Sequence, residues 1–103
     1  METLEFEGEV RRTVEAVVDA FRSRFETAGL KIQFDGIFDS AMMLDGEQVP
    51  VREAEIRVYA RDGDLVDSLP FFVTRNGKPA VEVAAVAAWL QPQLEQIVVD
   101  RST

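Results

Sequence analysis

The segment Glu53–Phe71, with the sequence EAEIRVYARDGDLVDSLPF, decides which fold the chain can adopt. Its first half alternates charged residues with small or apolar ones, as expected of a strand with one buried face. The residues that share the apolar face are Ala54, Ile56, Val58 and Ala60. Asp62-Gly63 follows, a dipeptide favoured in tight hairpin turns, and apolar residues resume after it. The segment therefore predicts a β-hairpin.

A two-residue turn at Asp62-Gly63 would fix the register of this hairpin. The predicted pairs are Arg61 with Asp64, Ala60 with Leu65, Val58 with Asp67, Ile56 with Leu69, and Ala54 with Phe71. Three of the four core-facing pairs are apolar, and Asp67 is the misfit. Two interpretations of Asp67 stay open: a functional acid held in apolar surroundings, or an acid that a β-bulge turns outward.

Further strands are predicted on both sides of the hairpin. Residues 30–34 alternate with a period of two, Gly36 predicts a break or bulge, and Asp45-Gly46 predicts a turn before a strand that begins at Glu47. Within that strand the apolar residues change face, which predicts a bulge near Arg52 and Glu53. Downstream, Pro70 indicates an edge strand and Asn76-Gly77 another turn.

Helices are predicted at the two ends of the chain, and the first of them is amphipathic. The first covers residues 9–28, where apolar residues recur every three or four positions, and Gly29 ends it as a residue able to take positive φ. The second follows residues 81–83, which read as a short strand or, preferably, as the first helical turn. Pro92 predicts a kink or a restart at Gln91.

The predicted fold is a single α+β domain over residues 1–103. Two helices pack on one face of a three- to four-stranded antiparallel sheet, in the order α-β-β-β(-β)-α. No internal repeat, low-complexity segment or linker divides the chain.

Composition narrows the function classes. The chain has no cysteine and no histidine, which removes thiol and imidazole nucleophiles, bases and metal ligands. Nineteen acidic and eleven basic residues give a net charge of -8, which disfavours nucleic acids and anionic membranes as partners. No apolar run approaches the roughly 20 residues of a membrane span. The glutamate-rich start is unlike a secretory leader, so we expect a cytoplasmic protein.

Acidic residues cluster around the predicted turns and suggest two kinds of site. Oxygen ligands for a divalent cation are one, but the spacing at Asp62, Asp64 and Asp67 departs from that of a calcium loop, and turn chemistry explains each Asp-Gly. An acid and base pair of the glycosidase kind is the other, and nothing in the sequence places two carboxylates on one concave surface. We therefore predict no metal and no cofactor.

Two surfaces are candidates for protein binding. Arg57, Tyr59 and Arg61 alternate with the buried residues of their strand, and arginine and tyrosine are enriched in interface hot spots. A solvated face with charge pairing across strands is the alternative. The run Val83–Leu90 is apolar on nearly every side, so part of it, including Trp89, is expected at a partner or subunit interface unless the core buries it.

The sequence thus predicts a non-enzymatic, acidic protein-protein interaction module, such as a small inhibitor, an immunity-type protein or an adaptor. Its acidic charge suits a basic protein partner. One alternative is a structural subunit of a homo-oligomer, for example a homodimer through the second helix. Another is a small-ligand-binding domain or a carboxylate-dependent enzyme, which would require a pocket between helices and sheet.

Overall fold

The computed structural model describes residues 3–101 and confirms the predicted α+β fold. Of the amino-terminal glutamates, Glu2 lies outside the described residues. The elements in chain order are α1 (Thr3–Thr27), β1 (Leu30–Leu44), β2 (Glu47–Ala60), β3 (Leu65–Arg75), β4 (Lys78–Pro79) and α2 (Val83–Arg101). The four strands form one antiparallel sheet in the order β1-β2-β3-β4. Buried residues of both helices and of the three long strands make one core.

Helix α1 begins earlier than predicted, at Thr3 instead of residue 9. The reason is Phe6, which lies one turn before Val10 on the same stripe and is buried with it. Burial of this aromatic ring stabilises a first turn that Gly8 would otherwise weaken. The predicted end is confirmed, because Gly29 follows Thr27 closely and has a φ of 78°.

The first helical turns are also tied to the sheet by an ion pair at the edge of the core. Glu7 is only 7% exposed, and its carboxylate accepts two hydrogen bonds from Arg52 of β2, from Nε at 3.1 Å and from Nη2 at 2.9 Å. Nη1 of Arg52 donates to Asp39 of β1 at 3.1 Å. One guanidinium therefore joins α1, β1 and β2.

The β1–β2 hairpin follows the sequence closely. Asp45 and Gly46 both have positive φ, 51° and 82°, as a two-residue turn between twisted strands requires. The predicted irregularity at Gly36 is confirmed, because the register with β2 shifts between Phe34 and Ile37. Both results depend on glycine or aspartate at positions with positive φ, a conformation that few other residue types adopt readily.

The β2–β3 connection is a correction to the predicted register. The pairs of Arg61 with Asp64 and of Ala60 with Leu65 do not form; Tyr59 faces Leu65, and the Ala60 N–H donates to the Asp64 carbonyl at 2.9 Å. The loop has three residues, 61–63, and ends at Gly63 with a φ of 94°. A bulge in β3 then restores the predicted partners further along, namely Val58 with Asp67, Ile56 with Leu69, and Ala54 with Phe71.

The predicted shift between Arg52 and Glu53 is present, but the extra residue lies in β3 and not in β2. Arg52 pairs with Thr74 and Glu53 with Phe72, so Val73 is the inserted residue. On the other side of β2, Arg52 and Glu53 pair with consecutive residues of β1. Val51 and Ala54 therefore keep opposite faces of β2, and both are buried.

Helix α2 runs without the predicted restart at Gln91, since residues 83–101 are helical through Pro92. Burial of Leu94, Ile97 and Val98 after the proline stabilises the second half of the helix. Val81 and Glu82 belong to neither a strand nor the helix. Within the described part of the chain, neither helix combines the length and the apolar character that crossing a membrane requires.

Candidate functional site

The edge of the sheet at β3 is largely free. β4 pairs only with Thr74 and Arg75, and the Ala80 N–H adds one bond to the Val73 carbonyl at 2.9 Å. Among residues 3–101, no strand lies beside the stretch Leu65–Phe72 on that side. An unpaired strand edge presents N–H and C=O groups to which another extended chain can bind.

A pocket of about 420 Å³ lies where this free edge meets helix α2. Its volume falls in the range of about 300–1,000 Å³ that is typical of ligand sites. Its walls come from β3, from the segment after β4 and from the first turns of α2. The lining residues are Phe71, Phe72, Arg75, Ala80, Val81, Ala85, Val86 and Trp89.

Aromatic rings form the wall of the pocket that a ligand would touch. Phe71 and Trp89 meet edge to face, with ring centroids 5.4 Å apart and planes at 61°. Trp89 keeps 36% of its surface exposed and Phe72 keeps 38%. Exposed aromatic surface in a concave site releases water when a partner covers it, which favours binding.

Short side chains on α2 create this space. Val86 is buried, whereas Ala85, which lines the pocket, lies on the exposed side of the same turn. An alanine fills little volume, so the helix leaves a gap beside β3 that larger residues would close. The run 83–90, apolar on every side, is thus only partly buried by the core.

A pair of cations lies at one end of the pocket. Arg75 lines the pocket, and Lys78 is its direct partner in the β3–β4 register. Neither side chain has an ion pair or hydrogen bond with any of the described residues. Like charges opposite each other on neighbouring strands destabilise a hairpin. The pocket therefore combines apolar walls with unneutralised positive charge.

The predicted surface of Arg57, Tyr59 and Arg61 is divided in the structure. Arg57 and Tyr59 lie together on the sheet face that points away from the core. Arg57 forms ion pairs with Glu55 and, at 3.1 Å, with Asp35. Hydrogen bonds to Glu55 and then to Tyr59 raise the guanidinium pKa above its usual value. The charge of Arg57 is thus already neutralised by neighbours on the same sheet.

Arg61 and Trp89 lie elsewhere. Arg61 follows the end of β2, and its Nε is 3.5 Å from where a Cβ on Gly29 would stand, so it packs against the α1–β1 turn. Trp89 belongs to α2 and lines the pocket. The structure therefore brings Arg57 and Tyr59 together on β2, places Arg61 just beyond the end of that strand, and places Trp89 in the pocket.

Asp67 is exposed, not held in apolar surroundings. The register shift between Val58 and Tyr59 places a bulge just before it, and its Oδ1 accepts a hydrogen bond from the Ser68 N–H at 2.8 Å. The carboxylate therefore satisfies local backbone at the free edge of β3. Across residues 3–101, no three acidic side chains converge as a metal site would require.

Sequence reasoning missed most of the pocket. The sequence predicts Phe71 in the core and no role for Phe72, Arg75 or Ala80, because the path of residues 79–83 decides whether a pocket exists. A signal was present: Pro70 marks an edge strand, and two phenylalanines follow it directly. Comparison of the chain with protein-family models, with curated proteins and with solved structures found no match.

Proposed function

We propose that the chain is a non-enzymatic module that binds a protein partner, and that the partner docks as an extended segment beside β3. The observation that carries the proposal is the coincidence of an unpaired strand edge with an aromatic pocket. Strand addition of this kind gains affinity from backbone hydrogen bonds and specificity from a pocket that receives a side chain.

The chemistry of the pocket favours binding over catalysis. Arg75 is the only charged residue of the lining, and a guanidinium group has hydrogen-bond donors and no acceptor, so it suits the binding of an anion. The lining has no hydroxyl, carboxylate or amide side chain that would act as nucleophile or base. What remains is apolar surface and one positive charge, which suit recognition.

Trp89 and Phe71 are the expected energetic centre of this interface. Large aromatic side chains near the middle of a contact contribute most of the binding free energy in many complexes. The net charge of -8 would in addition attract a partner whose remaining surface is basic, which speeds association at low salt.

The test uses the single tryptophan of the chain as its own reporter. Peptides are selected from a random displayed library on the immobilised protein, and each selected peptide is titrated while the Trp89 fluorescence is recorded. We expect a saturable change in emission and slower hydrogen exchange of β3 backbone amides in the bound state. For Trp89→Ala, which lacks the reporter, calorimetry should show affinity weakened by about tenfold or more.

The matched control is Leu4→Ala, which removes an exposed apolar side chain outside the pocket. It should bind the same peptides as the unchanged protein. Equal loss in both variants, or protection of amides around Arg57 and Tyr59 in place of β3, would overturn the proposed site. The second result would move the interface to the opposite face of the sheet.

Self-assembly is a second candidate function, favoured by the far end of the β1–β2 hairpin. β3 pairs with β2 only as far as Val51, and the Asn76 N–H donates to the Pro50 carbonyl, so residues 42–49 form a two-stranded arm on which Met43 and Leu44 are exposed. Two strands alone are only marginally stable in water. If a second copy covers this arm, the protein forms a dimer that Leu44→Asp disrupts. Light scattering that shows a monomer at high concentration would remove this candidate.

A further inference from the structure

We infer that the segment bound beside β3 is a chain terminus, with an apolar last side chain in the pocket and its α-carboxylate held by Arg75 and Lys78. The inference rests on the proposed strand addition. It adds a chemical identity to the partner: a protein or peptide that ends in a free carboxylate after a residue such as leucine or phenylalanine.

The charges at the site provide the first argument. Acidic residues outnumber basic ones by nineteen to eleven, yet Arg75 and Lys78 stand opposite each other and neither forms an ion pair with any of residues 3–101. Arg22, Arg24, Arg52 and Arg57 do have such partners, whereas Arg11, Arg12, Lys31, Arg61 and Arg101 have none among the described residues. What distinguishes Arg75 and Lys78 is that, in the strand registers of residues 3–101, they are the only two basic residues directly opposite each other. An anion between the two cations would relieve their repulsion and satisfy several N–H donors at once.

The topology provides the second argument. A strand added beside Leu65–Phe72 lies in line with β4 on the same edge, and Ala80 already occupies the next position by its bond to Val73. An added chain therefore has to stop or turn away at this point. A chain that ends at this point fits the space without having to turn away. If that end carries the carboxylate, the added strand runs parallel to β3.

The length of the contact is limited by Pro70, which has no N–H to donate. Pairing on the far side of Pro70 is further weakened because the Ser68 N–H is engaged by Asp67. About three or four terminal residues therefore make the contact. The apolar walls formed by Phe71, Trp89 and Val81 select the last side chain, and the two cations select the carboxylate behind it.

The experiment compares chain ends directly. A library with seven randomised positions is displayed once at a free C-terminus and once followed by a fixed polar tail, and both are selected on the protein. The best peptide is then synthesised as the free acid and as the amide. We expect enrichment of large apolar residues at the last position of the free library only, and about tenfold weaker binding of the amide.

The variant Arg75→Gln/Lys78→Gln separates charge from shape. In this variant the acid and the amide should bind with equal affinity, because the charge that distinguishes them is gone. Arg11→Gln/Lys31→Gln is the matched control: it removes the same charge from two exposed residues outside the pocket and should keep the preference for the acid. Circular dichroism of both double variants checks that they fold.

The outcomes distinguish this inference from the proposed function. If amide and acid bind the unchanged protein equally while Trp89 still reports binding, strand addition stands and terminus recognition is wrong. If no peptide alters Trp89 fluorescence, both are wrong. Octanoate serves as a probe for a small carboxylate ligand, and saturable binding of octanoate at micromolar concentration without binding of peptides would also overturn the inference.

Discussion

Replacing Arg52 by methionine should destabilise the protein more than any other single loss of a surface charge. The change removes both bonds to Glu7 and the bond to Asp39 while keeping much of the apolar side-chain volume. Glu7 then retains a carboxylate whose side chain is only 9% exposed, without its cation. An unpaired buried charge is the costly product of such a substitution.

The magnitude follows from the burial of the two partners. Breaking a fully buried pair costs about 3–5 kcal/mol. The Arg52 side chain is 32% exposed, so water reaches the site and reduces the loss to about 2–3 kcal/mol. For a domain of this size each kcal/mol lowers the melting temperature by about 4–8 °C, which predicts a decrease of about 8–24 °C. The variant should still fold at room temperature.

Thermal denaturation followed by circular dichroism measures this effect. In Glu7→Gln/Arg52→Met the remaining group is a neutral amide, so the double variant should be more stable than Arg52→Met alone. Arg24→Met is the control, because Arg24 and Glu95 form an exposed pair whose loss should lower the melting temperature far less than the loss of Arg52. The reasoning is refuted if Arg52→Met melts at the temperature of Arg24→Met, or if adding Glu7→Gln lowers stability further.

Two other predictions concern helix α2. Pro92→Ala should raise the melting temperature, because it restores a backbone donor for the Ala88 carbonyl inside the helix. The gain in stability is up to about 3 kcal/mol. An unchanged or lower melting temperature would mean that the native structure already compensates for the missing hydrogen bond. The hydrogen bond from Arg24 lowers the pKa of the Glu95 carboxyl in the folded protein. The pair therefore stabilises the fold when the pH is above the pKa that this carboxyl has in the unfolded chain. This stabilisation is lost as the pH falls through the lower pKa of the folded state. An NMR titration of the Glu95 carboxyl should show its midpoint rising in Arg24→Met, and an unmoved midpoint would contradict the assignment.

The parts of the fold that could be predicted from sequence are those that local chemistry determines. Asp45-Gly46 fixes a turn because both positions need positive φ, and the alternation around Ile56 fixes which face of β2 is buried. The three-residue loop after Ala60 was not predicted, because Asp62-Gly63 is compatible with loops of two or three residues. The choice between them depends on the bulge in β3, which is a property of the paired strands.

The pocket was beyond sequence reasoning for a different reason. Its walls come from three segments, and its volume depends on where β4 ends and α2 begins. Trp89 was predicted at an interface because the helix has too many apolar sides, and that signal is local. Arg75 carries no comparable signal: an arginine before Asn76-Gly77 reads as an ordinary exposed residue until the register shows Lys78 opposite it.

The edge of β3 also explains why a partner, if it docks there, should be short. A free edge invites pairing between copies of the same chain, and proteins commonly prevent this with prolines, charges and bulges. β3 has all three between Leu65 and Pro70: a bulge before Asp67, the exposed Asp67 carboxylate and the missing donor of Pro70. The stretch from Phe71 to Val73 contains no proline and no charged residue, and its only irregularity is the bulge at its end. This stretch is the part of the edge that adjoins Trp89. A strand edge protected along most of its length and open only beside an aromatic pocket favours a few residues of a specific ligand over a second copy of the whole strand.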